Sequence, residues 1–558
     1  MRRAALILAA VGLLAAGCTQ ADDEAGDAPT DATTEVAGEL GQDRIIEGGA
    51  PVAGGSLTMA VEAETDGWDP TKNRWAASGT LIGLAIYDPL TAPDEQGIAR
   101  PYLAESVEPD DDFTVWTITL RPDITFHDGS PVTADAVKAT MDGHIASVLT
   151  RPAIAPILDD GVVVVDDRTV EVRMSSPWVA FPQVLSGQVG VVVSPTTLAA
   201  EDGTRDPIGS GPFDFVTWVP GNRLETERYD GYWRTDDGGQ QLPYLDEVTF
   251  VAIPDGQTRI NALGAGEVDV LHTFSPTEIV ELEQRAADGE IQIRNARSAG
   301  EKGFVMLNLG RPPFDNESAR RAVVLATDVD AYNTVINEGA VERARSVFPA
   351  SSPYHNPEAD AAWPDHDPDG ARAAAAQYEA ETGQPLTFTL SAPPTPIGLE
   401  GAQLLQAQWA DVGIDVEIAT LEQTAYILAG VQGSYEAILW RQFGAADPDT
   451  DAHWWLSENA ADIDAIGLNF ARIRDDQVDE DLRTGREDDD EAVRRAAYAD
   501  LALRFNELMP YVWISNTRWV VAANDDVRDF WSGPLPDGRP SEPIVSGVFR
   551  LTHTWIER

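Results

Sequence analysis

Ser210 stands between two glycines in Pro207-Ile208-Gly209-Ser210-Gly211, and His127 is followed directly by Asp128. A serine hydroxyl, an imidazole and a carboxylate are the parts of an acyl-transfer triad. The spacing argues against one. The residue two before Ser210 is Ile208, so the Gly-x-Ser-x-Gly elbow is absent. Adjacent His127 and Asp128 do not make a triad. No His-Glu-x-x-His pair and no Gly-x-x-x-x-Gly-Lys phosphate loop occurs, and the 7 histidines are scattered without ligand spacing. The expectation is therefore no catalytic residue, no metal site and no cofactor, with a lipid-anchored hydrolase as a remote alternative.

The single cysteine, Cys18, invites different chemistry. Two arginines, a short apolar run and small residues precede it in "MRRAALILAAVGLLAAGC". That is the layout of a secretory signal, too short to span ~30 Å of hydrocarbon. Leu14-Ala15-Ala16-Gly17-Cys18 resembles the bacterial lipobox, in which the cysteine thiol receives a diacylglyceryl group and becomes the first residue after cleavage. Residues 1–17 are read as a lipoprotein signal peptide. Residues 18–54 are rich in Ala, Thr, Gly and acid and poor in aromatics, which predicts a flexible acidic tether. With one cysteine, intramolecular disulfides are excluded and stability must come from the core.

Hydrophobic residues make up 43% of the 558, ordinary for a globular chain, but the formal charge is −54. Lysine is confined to Lys72, Lys138 and Lys302. Such a field repels nucleic acid and anionic headgroups, so neither is an expected partner. The acids are spread along the whole chain, which fits a solvated acidic surface better than a cationic-ligand site.

The elements that must position any site read as mixed α/β. "FTVWTITLR" (113–121) alternates Trp116, Ile118 and Leu120 with polar neighbours, the period of a half-buried strand. "GVVVVDDRTVEVRM" (161–174) predicts a hairpin turning at Asp166-Asp167-Arg168. Residues 386–392, 398–413 and 414–421 read as strand, helix and strand, with Gly413 ending the helix and Leu404, Leu405 and Trp409 on its apolar face. "VDVLHTF" (268–274), a helix from about 276 to 287 and "IQIRNA" (291–296) repeat that order. Strands joined through a helix are parallel with a right-handed crossover.

Six segments then occur in a familiar order: "WTITLRPDITFHDGSPVTADAV" (116–137), "PIGSGPFDFVTWVPGNRLETERYDGYWR" (207–234), "LDEVTFVAIPDGQTRINALGAGEVD" (245–269), "FDNESARRAVVLATD" (314–328), "QWADVGIDVEI" (408–418) and "DPDTDAHWWL" (447–456). By them the chain resembles bacterial extracellular solute-binding protein family 5, the lipoprotein receptors of peptide and nickel ABC importers. The resemblance implies a two-lobed, periplasmic-binding-protein-like α/β fold of class II, with a hinge and an extra subdomain. The implied boundaries are 55–87 for the first part of lobe I, 88–205 for the inserted subdomain and 206–297 for the second part of lobe I. Lobe II would run over 298–527, with 528–558 returning to lobe I. It also implies a lipid-anchored monomer on the extracellular face of the cell membrane, the periplasmic side where there are two membranes, serving the permease and ATPase subunits of an importer. The ligand would be a peptide or peptide-like molecule enclosed by hinge closure. Alternatives on the same fold are a binding protein for an oligosaccharide, an opine-like compound or a metal chelate, and a non-transport sensor or chaperone.

Several motif residues have scaffold readings. Asp128-Gly129 predicts a tight turn, Thr133 or Asp135 a cap for the next helix, and Gly209 and Gly211 a sharp backbone turn. Asn308 and Arg320-Arg321 read as scaffold too. By the resemblance, peptide-binding relatives place an aspartate three residues before the acidic-Pro pair; here the pair is Asp447-Pro448 and the position holds Gly444. The ligand-facing segments implied are 65–75 and 439–455. They nominate Trp68, Trp75, Trp440, Phe443 and Trp454 for stacking, Arg441 for a carboxylate or phosphate, and Gly444 and Asp447 at the amine end.

Overall fold

The computed structural model describes residues 41–73, 75–200, 204–296 and 301–557, and only the backbone of Gln423 and Thr424. Cys18, the signal peptide and most of the tether lie outside the described residues. The tether's end is not free. Arg44 exchanges backbone hydrogen bonds with Ile293 at 3.0 and 2.9 Å, and its guanidinium meets Asp525 at 2.7 Å. The expectation of a flexible chain through residue 54 is corrected there, because backbone pairing and an ion pair compensate the ordering of Gly41–Ile46.

Two large sheets organise the body. The first has the order Gln292–Asn295, Val520–Ala523, Val270–Thr273, Ser56–Val61, Glu247–Ala252, Arg223–Arg228, Phe213–Val219. Ser56–Val61 is its parallel centre, flanked by Glu247–Ala252 and Val270–Thr273. The second runs Glu342–Arg343, Tyr511–Asn516, Lys302–Leu307, Ala437–Gln442, Thr387–Ala392, Asp415–Thr420. Each sheet has its own apolar core. A four-stranded antiparallel sheet over residues 104–174 carries a third core spanning Leu90 to Val192.

Local sequence accounts for these elements. In Val115–Leu120 the buried residues are Trp116, Ile118 and Leu120, as the alternation predicts. The hairpin pairs Val162 with Val172 and Val164 with Val170. Thr387–Ala392 and Asp415–Thr420 pair in parallel across helix Pro396–Ala410, in which Leu405 and Trp409 are buried and Leu404 is half-buried. Gly413 follows that helix at φ +87. Val270–Thr273 and Gln292–Asn295 share one direction but are separated by Val520–Ala523, antiparallel to both.

The chain crosses between the sheets twice. One crossing leaves Gln292–Asn295 for Lys302–Leu307; the other leaves Tyr511–Asn516 for Val520–Ala523. The two crossings are tied together, Ala296 N–H donating to Trp519 O at 3.0 Å and Thr517 N–H to Glu301 O at 2.7 Å. Lobe II was expected to extend to 527. Strand Val520–Ala523 already belongs to the first sheet, because its four buried apolar residues fill the slot between two parallel strands.

Motif residues take the scaffold roles with two corrections. Gly129 turns at φ +80. Thr133 is the N-cap of helix Ala134–Ala146, but its side chain makes no capping bond, and Asp135 sits in the first turn. Gly209 and Gly211 are required by close approach and not by a positive φ: a Cβ would come within 2.0 Å and 2.6 Å of the Ile86 backbone. Asn308 donates to Gly433 O and Tyr435 O, and Arg320 to Phe314 O and Leu508 O. Ser210 is fully buried, and His127 Nδ1 lies 3.2 Å from Asp214 Oδ1. Among the described residues no helix is long and apolar enough to cross a membrane.

Candidate functional site

Two adjoining cavities, of about 370 and 490 Å³, lie where the sheets face each other. They share Phe443, Gly444, Ala445 and Asp451 from the second lobe with Ser186, Gly187, Glu542 and Val545 from the other side. The smaller adds Trp75, Glu301 and Arg550; the larger adds Phe348, Asp447, His453 and Trp455. This is the size range of small-molecule sites. A separate cavity of about 440 Å³ beside Trp233, Arg234 and His553 takes its walls from one side of the molecule.

Of the aromatics expected to face ligand, Trp75 and Phe443 line the cavities. Trp75 stacks on Tyr87 at 6.0 Å and donates to Gly67 O at 3.1 Å. Its side chain lies against Gly79 and Gly83, where a Cβ would come within 3.2 and 2.6 Å of it. Phe443 packs flat on Phe304 at 5.3 Å and holds φ +68. Gly444, at φ +119, is also a wall.

Three expected tryptophans are elsewhere. Trp68 is 1% exposed, with its ring edge-on to Trp218 at 5.6 Å in the first core. Trp440 stacks on Tyr426 at 5.2 Å, and Trp454 meets Phe470 at 5.1 Å. None of the three is a cavity wall. Large flat side chains are recruited by core packing as readily as by ligand, and sequence position near a cleft does not distinguish the two.

Arg441 is committed as well. Its Nε lies 3.1 Å from Glu301 Oε2, and its guanidinium sits 3.3 Å from the Phe274 ring centroid on the opposite lobe. It braces the hinge side of the cleft and does not wall either cavity. Beside it, burial pushes the Glu62 carboxyl up to about 7, opposed by Arg441 and Arg259.

Asp447 reaches the larger cavity, but its carboxylate is occupied. Both oxygens accept from Arg494 Nη2, at 2.9 and 2.7 Å, and Tyr354 donates at 3.2 Å. Asp449, two residues on, is 3% exposed; it accepts from Arg486 Nε at 2.7 Å and from the Trp178 indole of the inserted region. Arg486 O also accepts from Val179 N–H at 2.9 Å, so this pair fastens residues 178–179 to the second lobe. Asp451, missed from the sequence, is a wall of both cavities. Burial pushes its carboxyl up to about 6, opposed by the Ala445 and Gly444 amides. Glu301, Glu542 and Arg550 were missed too. The one sequence signal was the alternation of acids in Asp447-Pro448-Asp449-Thr450-Asp451.

Two sheets joined by two crossing segments, with cavities walled from both sides, define a two-lobed solute-binding receptor. The chain belongs to the bacterial extracellular solute-binding proteins, family 5, whose middle region matches residues 99–462. It is 26% identical over 498 residues to the glutathione-binding protein GsiB of Pectobacterium atrosepticum, covering 82% of this chain and 93% of that one. It is similar to the binding protein AgaA of A. tumefaciens R10, solved with agropinic acid, at TM-score 0.77 and 25% identity over 90% of this chain and 99% of that one. The fold of DppA from Helicobacter pylori, solved with the peptide STSA, matches at TM-score 0.76 and 23% identity over 91% and 99% of the two chains. The protein is a substrate-binding protein of the ABC-importer type, and its curated relatives are binding proteins.

Proposed function

We propose that this protein captures a peptide or peptide-like solute in the paired cavities between its lobes and delivers it, chemically unchanged, to an importer's permease. The observation that carries this reading is the composition of the cavity walls: Trp75 and Arg550 come from one lobe and Phe443, Gly444 and Asp451 from the other. A ligand touching both faces stabilises the closed arrangement over the open one. Moving such an equilibrium from 1:99 to 99:1 takes about 5.5 kcal/mol of differential binding. Apolar contact with Trp75 and Phe443 and hydrogen bonds to Asp451 are sources for it.

The ligand-facing set is then Trp75, Phe443 and Gly444 with Asp451. Trp68, Trp440, Arg441, Asp447 and Trp454 support the fold around it. Cys18 carries the lipid that holds the receptor to the outer face of the membrane, as a monomer with no catalytic activity of its own. In a Cys18→Ser variant the protein leaves the membrane fraction; retention there contradicts the anchor. A second reading is an opine-like ligand, favoured by the absence of a carboxylate at Gly444 and by the likeness to AgaA. Titration of the purified full chain with tripeptides and with amino-acid–sugar conjugates separates the two. Tight binding of the conjugates alone overturns the peptide reading, and turnover of any bound compound contradicts the receptor role.

A further inference from the structure

Asp447, which caps the 3-10 helix Pro448–Trp454, and Asp449 and Asp451 within it set three carboxylates at alternate positions, and their partners differ. Asp447 is paired with Arg494 and Asp449 with Arg486. Asp451 has no arginine, lysine or histidine within ion-pair distance among the described residues. Its Oδ2 accepts the Gly444 and Ala445 amides at 3.0 and 3.1 Å. Phe443 and Gly444 both hold positive φ in the stretch that brings those two N–H groups onto one oxygen. The two amides fix the carboxylate and leave Oδ1 with no hydrogen-bond partner among the described residues.

The surroundings explain why this is more than an isolated acid. Asp451 is a wall of both inter-lobe cavities. Glu301, another acid on the smaller cavity, is already paired with Arg441. Lys302 approaches Asp451 electrostatically, but its Nζ is buried without a hydrogen-bond partner and forms no ion pair with it. An oriented, partly desolvated carboxylate on a cavity between the lobes lacks one thing: a cationic hydrogen-bond donor.

Resting on the reading of these cavities as the solute site, we propose that Asp451 Oδ1 is the recognition point for a protonated amine of the ligand. The same carboxylate excludes solutes that would present an anion at that end of the cavity.

The test uses the full chain and two tripeptide libraries, one with free amino termini and its N-acetylated twin, titrated by native mass spectrometry. The expected result is at least tenfold weaker binding of the acetylated library to the unaltered protein. In Asp451→Asn the free-amine library should lose at least tenfold in affinity, and the difference between libraries should disappear. The acetylation arm requires no variant, so it stands even if Asp451→Asn folds poorly. Equal binding of both libraries to the unaltered protein overturns the amine assignment and leaves the receptor reading intact. Binding of neither library overturns the peptide reading and this assignment with it.

Discussion

Asp447 caps the 3-10 helix Pro448–Trp454 and Asp451 lies within it, yet the two have opposite environments. Asp447 is buried with a two-oxygen contact to Arg494 and a tyrosine hydroxyl at its edge. Among the described residues Asp451 is held only by two backbone amides, and it walls the space between the lobes. The first carboxylate spends its charge inside the fold; the second keeps one oxygen for what enters the cleft. The difference teaches that an acid near a binding cleft is assigned by its partners and not by its nearness.

The largest expected effect falls on Asp447. Asp447→Ala strands Arg494 in a buried setting, and chemical denaturation should register a loss of about 3–5 kcal/mol. A change within experimental error would remove the contrast between the two carboxylates.

Asp451→Asn should do the reverse, lowering ligand affinity tenfold or more, about 1.4 kcal/mol, without lowering ligand-free stability. Its pH dependence sharpens the point. The folded carboxyl titrates near 6, above its ordinary value, so the ligand-free fold binds that proton more tightly than the unfolded chain. Relative to Asp451→Asn, the unaltered protein should gain stability as pH falls from about 6 toward 4. Affinity for an amine runs the opposite way, present above about 6 and lost below it. Glu301 and Lys302 share this field and His453 walls the larger cavity, so the comparison with Asp451→Asn isolates the one carboxyl. Parallel profiles for the two proteins would contradict the assignment.

Smaller effects belong to the contacts that span the lobes. Trp178→Phe removes the donor to Asp449 and should cost about 1–1.5 kcal/mol in thermal or chemical unfolding. Arg441→Ala loses a cation on Phe274 and a partly exposed pair with Glu301, about 0.5–1 kcal/mol, with ligand affinity altered less than in Asp451→Asn. A large drop in affinity would return Arg441 to the ligand-facing set.

Much of the scaffold was legible in the sequence because its signals are local. The alternation around Trp116, the turn at Gly129 and the helix stop at Gly413 each depend on a few neighbouring residues. The failures depend on distant ones. Gly209 and Gly211 are required by the Ile86 backbone, more than a hundred residues earlier in the chain. Arg44 is ordered by Ile293 and Asp525. Trp68 and Trp75 occupy one eleven-residue segment, "TDGWDPTKNRW", yet only Trp75 faces the cavity. Asp451 was missed because its orientation follows from a positive φ at Phe443, a conformation that nothing in that residue's chemistry announces.

The central claim is that a solute is held between the lobes, and native mass spectrometry of the full chain released gently from cells tests it most directly. The account predicts one small molecule retained per chain, and its loss when Ala445, a wall common to both cavities, is changed to Trp. Retention undiminished in a folded Ala445→Trp variant, or no bound molecule under any condition of growth, would contradict it.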